Sequence, residues 1–312
     1  MTQEPSYLKL YSRGVLQKRV EEALSRLTHC ELCPRECGVD RTKGEIGFCR
    51  TGRYAVVSSY NPHFGEESPL VGTGGSGTIF FTHCNLLCIF CQNYEISHQG
   101  MGDEVRPQIL GRMMVQLQNW GCHNVNFVTP SHVVPQILEA LLVAIDLGLR
   151  VPLVYNTGGY DKVETLRLLE DVFDIYMPDI KFMDPEVAKR FCKAPDYPEV
   201  VREAVKEMHR QVGDLLMDEK GIAFRGLLVR HLVMPHGLAQ TPQVMKYLAQ
   251  EISPNTYVNI MDQWRPCGEA HLYPDLSRRI SRQEYEEALE AARSVGLYRL
   301  DDRVRLRLFR LF

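Results

Sequence analysis

Seven of the ten cysteines in this 312-residue chain fall in two tight groups. Cys30, Cys33, Cys37 and Cys49 form a C-x2-C-x3-C-x11-C pattern. Cys84, Cys88 and Cys91 form a C-x3-C-x2-C pattern within His83-Cys84-Asn85-Leu86-Leu87-Cys88-Ile89-Phe90-Cys91. Short spacings let one loop aim several thiolates at a common centre, as zinc and iron–sulfur sites require. The first group is a complete four-thiolate set, and its neighbours Arg41, Lys43, Arg50 and Arg53 favour the thiolate form. Four ligands saturate a metal, so this site is expected to be structural or electron-transferring. Zinc, a single iron and an auxiliary [4Fe–4S] cluster all satisfy it, and the long gap with short knuckles puts zinc or a single iron narrowly ahead. The second group offers three ligands. A cubane held by three cysteines leaves one iron open to an exogenous molecule, and open coordination positions are where metal sites do chemistry.

The rest of the chain limits the setting. Met1 to Tyr11 is polar and mixed, with no apolar segment of the kind that targets a chain for secretion. No stretch approaches the roughly 18 apolar residues of a spanning helix. The expectation is a cytoplasmic protein with no membrane partner, in a compartment that keeps thiols reduced, and disulfides are disfavoured accordingly. With 36 Lys plus Arg against 39 Asp plus Glu, the formal charge of −3 gives no global reason to bind nucleic acid. Arg303, Arg305, Arg307 and Arg310 form one local basic candidate at the tail. At 45% hydrophobic and 24% charged residues the composition is that of a globular protein. A chain of this length buries about 75% of its unfolded surface without disulfide help.

The three-cysteine loop, with Phe90 just before its last ligand, resembles the signature of the radical S-adenosylmethionine (SAM) superfamily. More narrowly, the chain is similar to an uncharacterised branch of proteins related to pyruvate formate-lyase activating enzyme, from about Cys30 to Trp264. The resemblance implies a [4Fe–4S] cluster on Cys84, Cys88 and Cys91, with SAM chelating the fourth iron. It implies a reducing partner such as flavodoxin or ferredoxin, whose electron splits SAM into methionine and a 5′-deoxyadenosyl radical. That radical takes a hydrogen atom from a substrate, either a glycyl residue of a partner enzyme or a small molecule. The alternative from another class is a non-enzymatic iron–sulfur electron-transfer or metal-binding protein. Such a carrier wants clusters saturated by four thiolates, whereas the second group leaves an open iron.

Elements that could position this loop follow it in alternation. Gly77 to Thr82, Val125 to Thr129, Val151 to Asn156, Asp174 to Ile180, Leu227 to Met234 and Thr256 to Met261 read as short strands. Between them Val133 to Leu147, Val163 to Val172 and Gln243 to Ile252 have helical periodicity, as does the run from Tyr285 to Val295. Repeated strand–helix alternation argues for a parallel sheet covered by helices, and the resemblance selects an α/β fold, a (β/α)6 partial TIM barrel. The expected division is a four-Cys metal-binding segment over 1–76, the barrel over 77–270, and a C-terminal helix and tail over 271–312. The glycine-rich Gly72 to Gly77 precedes a strand and lacks a Walker lysine, so it reads as a turn and not a phosphate cradle.

In barrels the site lies at the C-terminal strand ends. Ser131 and His132 follow the second strand, where activating enzymes usually carry Gly-Gly-Glu to grip the SAM amino group; this chain lacks it. Asn156, Thr157 and Gly158 resemble the family's turn against SAM, and Asp179 and Lys181 match its Asp-x-Lys. Arg230 and His231, inside a buried strand, must be paired or face a cavity. They are candidates for the cofactor or, with Arg265, for a small anionic substrate. Asn259, Asp262, Gln263 and Arg265 crowd the last strand end, and Cys267 beyond them is a candidate hydrogen donor or auxiliary ligand. Cys122 and Cys192 read as small buried hydrophobes.

Overall fold

A computed structural model describes residues 4–301, so the basic tail residues Arg303, Arg305, Arg307 and Arg310 lie outside the described residues. Nine strands form one sheet: β1 (Ala55–His63), β2 (Ser76–Phe81), β3 (Asp103–Val105), β4 (Val125–Val128), β5 (Leu153–Thr157), β6 (Ile175–Pro178), β7 (Leu216–Met217), β8 (Ala223–Leu232) and β9 (Tyr257–Met261). The six expected runs are β2, β4, β5, β6, β8 and β9, and they are parallel and adjacent in that order. Among the described residues β9 does not pair back to β2, so the sheet curves without closing. β1, β3 and β7 are antiparallel additions that the sequence reading missed. β1 carries Pro62 and polar Ser58, Ser59 and Asn61, which blur the strand pattern, and β3 and β7 are too short to show one.

Helices Pro107–Asn119, Val134–Asp146, Val163–Leu168, Tyr197–Val212 and Thr241–Tyr247 connect the parallel strands on the outer face. Their apolar stripes meet alternate strand residues, Phe127, Tyr155, Tyr176 and Val229, in the main core. N-terminal helices Tyr7–Ser12 and Val15–Ser25 join that core through Tyr7 and Leu10 of the first and Leu16, Val20 and Ala23 of the second. The opposite, concave face holds a second small core of Val154, Ile175, Met177, Leu228 and Tyr257, plugged by Leu70 and Leu215.

Strand side chains alternate between faces. Two residues further along each strand from those inward apolar positions come Asn156, Asp179, Arg230 and Asn259. The fold therefore builds a polar layer directly above an apolar plug, towards the C-terminal strand ends. The same parity sends His231 to the helix side, away from Arg230. It is fully buried there, with Nδ1 2.7 Å from the Ile180 carbonyl oxygen and Nε2 2.9 Å from the Thr241 hydroxyl.

Burial pushes the His231 pKa down to about 4. The unfolded chain accepts this proton near pH 6.5 and the folded chain resists until about 4, so stability is complete above 6.5 and declines as the pH falls between those values. His231→Leu loses two hydrogen bonds and is expected to be less stable than the parent at pH 7. Because leucine carries no proton penalty, the gap should narrow by about 2 kcal/mol at pH 5. Denaturant titrations of both proteins at the two pH values check this, and an unchanged gap would contradict it.

Candidate active site

The three-cysteine loop leaves β2 at Phe81. His83 and Leu87, immediately before Cys84 and Cys88, have positive φ of 71° and 52°. Non-glycine residues rarely adopt that conformation, and it persists where surrounding structure fixes it, often at functional loops. Here it turns consecutive thiols to one side. Leu86 N–H lies 3.3 Å from Cys84 Sγ and the Ser97 hydroxyl 3.2 Å from Cys91 Sγ. Burial pushes the Cys84 pKa up to about 12 and raises that of Cys91, while that of Cys88 is raised by the Cys192 thiol beside it and then by burial, so without metal these groups would be neutral thiols. The donors and the nearby Lys181 ammonium would be matched by metal-bound thiolates. The three residues fit a cluster held on one loop.

Cys192 was expected to do no more than pack. It ends helix Pro185–Cys192, and its Sγ stands 3.3 Å from Cys88 Sγ. The same helix end accepts the Ile89 N–H on the Phe191 carbonyl at 3.0 Å. Phe90 is buried between Phe182 and Trp264, with ring centroids 5.9 and 5.4 Å away, and so anchors the loop to the barrel. Cys267 lies on a segment that runs beside the loop. Glu269 N–H donates to the Ile89 carbonyl at 2.8 Å, and Gly268 sits so close that a Cβ there would come within 2.6 Å of the same oxygen.

Facing this loop, the polar layer is one connected network. Asp179 accepts from Arg230 Nε at 2.8 Å and from Lys181 Nζ at 2.6 Å. Arg230 Nη2 also donates to Asn156 Oδ1 at 2.9 Å, and its Nη1 lies 3.9 Å from Glu66 Oε2. Asn259 Nδ2 donates to Glu67 Oε1 at 2.9 Å, while Glu67 Oε2 is buried without a hydrogen-bond partner among the described residues. Burial alone would raise the Asp179 carboxyl, but the Arg230 and Lys181 cations outweigh it and hold its pKa below the ordinary value. Lys181 in turn is raised, burial being overcome by Asp179. The segment between β1 and β2 thus delivers two glutamates that the sequence reading did not anticipate.

A second network lies one strand away. The Thr157 hydroxyl donates to Asp161 Oδ2 at 2.5 Å and is 3.0 Å from the Ser131 hydroxyl, while Tyr155 donates to Asp161 Oδ1 at 2.9 Å. Asp161 is buried and its pKa is raised by that burial. Gly158 lies between the cluster loop and the charged layer, since a Cβ there would come within 3.6 Å of Leu86 and 3.7 Å of the Lys181 side chain. Gly159 has φ of 80°, and a Cβ there would come within 2.4 Å of the Asp179 carbonyl oxygen. His132 is buried with Nε2 3.0 Å from the Thr82 carbonyl oxygen, so it braces the root of the cluster loop.

At the rim, a cavity of about 480 Å3 is lined by Gln92, Asp262, Gln263, Arg265 and Arg279. That volume lies in the range of small-molecule sites. Gln92 follows Cys91, and the other four come from beyond β9.

The four-Cys segment packs against the same loop. Arg35 donates to the carbonyls of Asn85 at 2.9 Å, Cys192 at 3.1 Å and Lys193 at 2.6 Å. Cys30, Cys33 and Cys49 are buried and Cys37 partly so. Among the described residues no group of three or more His, Cys, Asp or Glu side chains that could hold a metal ion is found. No helix among them is long and apolar enough to cross a membrane.

Residues 78–217 match the family model of the radical SAM superfamily. The chain is 33% identical over 298 residues to an uncharacterized protein of Methanocaldococcus jannaschii, covering 93% of this chain and 82% of that one. Among solved structures it is similar to a radical SAM methyltransferase from Sphaerobacter thermophilus, at 15% identity and a TM-score of 0.46. That match covers 71% of this chain and 64% of the methyltransferase, less than two thirds of its length. A domain of pyruvate-formate lyase-activating enzyme from Bacteroides vulgatus matches at 15% identity and a TM-score of 0.34, over 61% and 88% of the two chains.

Proposed function

This chain belongs to the radical SAM superfamily, and from that premise we propose that it cleaves SAM reductively and abstracts a hydrogen atom from its substrate. When bound, a [4Fe–4S] cluster and SAM supply one-electron cleavage to methionine and a 5′-deoxyadenosyl group able to take that hydrogen. Cys84, Cys88 and Cys91 would hold the cluster, with Cys192 beside them and Phe90 fixing the loop. A reductant such as flavodoxin or ferredoxin would deliver the electron, and the four-Cys segment would hold a second metal.

The observation that carries this reading is the charged layer opposite the loop. Glu66, Glu67 and Asp179 stand against Lys181 and Arg230 in one buried layer. Fixed charges of both signs suit a zwitterionic ligand, and SAM brings a carboxylate beside its ammonium and sulfonium. The chain's own residues would orient SAM on Asp179, Lys181, Asn156 and the Gly158 turn, with Phe182, Phe90 and Trp264 keeping water from the loop's barrel side.

For the substrate, the rim cavity favours a small anionic molecule over a glycyl residue of a partner enzyme. It presents Arg265 and Arg279, and no ion pair of either is found among the described residues. Arg230, by contrast, is committed to Asp179 and Asn156. The Arg265→Ala/Arg279→Ala variant is expected to keep its iron content and SAM affinity while binding an anionic substrate about 10–100-fold more weakly.

Calorimetric titration of the iron–sulfur-loaded chain with SAM tests the reading. One SAM site per chain is expected, lost when Cys84, Cys88 and Cys91 are replaced together. A loaded chain that binds no SAM would contradict it.

A further inference from the structure

Each sulfur of the three-cysteine loop has a hydrogen-bond donor beside it, and the three donors differ in kind. Cys84 Sγ has the main-chain N–H of Leu86 at 3.3 Å, which almost any sequence would supply. Cys88 Sγ has the thiol of Cys192 at 3.3 Å, a weak donor. Cys91 Sγ has the Ser97 hydroxyl at 3.2 Å, and Ser97 is only 8% exposed. Of the two side-chain donors, the hydroxyl is the stronger.

The direction of that hydroxyl is set by His98, whose Nδ1 lies 2.8 Å from Ser97 Oγ. The hydroxyl carries a single proton, and a metal-bound thiolate carries none. With the hydroxyl proton on Cys91, the hydrogen between Oγ and Nδ1 must belong to the imidazole, which donates it to Oγ. The two bonds then run one way, from imidazole to hydroxyl to sulfur, and each polarises the next. An imidazole bare at Nδ1 would draw the hydroxyl proton away from the sulfur instead.

The imidazole is itself held from its far side. Its ring stacks on Tyr94, with centroids 4.1 Å apart and planes at 12°. The Tyr94 hydroxyl donates to Glu269 Oε1 at 2.7 Å, and Gly268 fits against the same ring, since a Cβ there would come within 2.5 Å of Tyr94 Cδ2. Glu269 N–H also donates to the Ile89 carbonyl inside the loop at 2.8 Å. Tyr94 and Ser97 are the two ends of one short helical turn, Tyr94–Ser97, just past Cys91. A turn of four residues does not hold its shape alone, and here Glu269 and Gly268 clamp it against the loop it serves.

We propose that Ser97 and His98 are positioning residues that raise the reduction potential of a cluster on Cys84, Cys88 and Cys91, through the Ser97 O–H bond to Cys91 Sγ. This rests on the proposed function, which places a cluster there. A reduced cluster carries one more negative charge than an oxidised one, so a proton aimed at its thiolate stabilises the reduced form more. His98 acts through Ser97, and Tyr94 with Glu269 acts through His98.

Anaerobic redox titration of the iron–sulfur-loaded full chain, read by electron paramagnetic resonance of the reduced cluster, tests it. The signal to follow is the one that Cys88→Ala lacks. Ser97→Ala should keep the parent's iron content and make reduction about tenfold less favourable, a drop of about 59 mV for one electron. Ser97→Thr keeps the hydroxyl and should stay near the parent. His98→Phe keeps a ring on Tyr94 but loses the donor, so its potential should fall by less than that of Ser97→Ala. His98→Asn returns an N–H and should lie between His98→Phe and the parent. An unmoved potential in Ser97→Ala would overturn the proposal. A rise in His98→Phe would also overturn it, because the imidazole would then be competing for the Ser97 proton. A loaded chain that binds no SAM fails the proposed function, whereas unmoved potentials in variants that do bind SAM fail this inference alone.

Discussion

The Asp179→Asn variant is expected to be about 3–5 kcal/mol less stable than the parent and to lose SAM binding. Asparagine keeps the shape of the side chain but removes the charge that Arg230 and Lys181 share. Those two cations lie at 2.8 and 2.6 Å, with side chains only 19% exposed. Water therefore screens them weakly, and removing one member of a buried pair leaves the other uncompensated. The loss of the pair's own attraction is a smaller part of the effect than the stranded charge. For that reason the double variant Asp179→Leu/Arg230→Met should recover part of the lost stability, although Lys181 still lacks its partner. Denaturant unfolding of the three proteins reads this out. A cost under about 1 kcal/mol for Asp179→Asn would place the layer among solvent-screened surface pairs and remove its claim to a buried site.

The second large effect concerns two cysteines with touching sulfurs. Cys88→Ala is expected to strip the loop's cluster, abolishing SAM-dependent chemistry and lowering iron by about four per chain. Cys192→Ala should leave both unchanged within experimental error. The two sulfurs are 3.3 Å apart, so distance alone does not distinguish them. Their supports do. Cys88 belongs to the loop whose positive-φ residues turn Cys84 and Cys88 the same way, whereas Cys192 ends a helix and closes the site from behind. Iron analysis of the two variants, prepared in parallel, decides between them. Loss of the cluster in Cys192→Ala would make it a fourth ligand and would remove the open iron on which the enzymatic reading depends.

Much of this site was legible because its chemistry is local. The three-cysteine loop is contiguous, and Asp179 with Lys181 reveals itself by two-residue alternation at a strand end. Six parallel strands followed from apolar runs of the right length. The partners that arrive from a distance were hidden. Glu66 and Glu67 come from the connection before β2 and meet Asn259 and Arg230 from the far end of the sheet. Cys192 reaches Cys88 only because a helix after β6 ends beneath the loop. Arg41 sits among Asp40, Thr42 and Lys43, a context that reads as solvated, yet it is buried by the fold of the four-Cys segment. His231 is different. Strand parity already separates it from Arg230, and that argument would have placed it on the helix side.

The central claim is that the three-cysteine loop serves SAM chemistry. The most direct measurement incubates the anaerobically loaded chain with SAM and dithionite and quantifies 5′-deoxyadenosine. The account predicts its formation together with methionine, absent in Cys88→Ala and present in Cys192→Ala. A chain with its cluster fully loaded and reduced that produces no 5′-deoxyadenosine would contradict it, and an electron carrier would then be the better description.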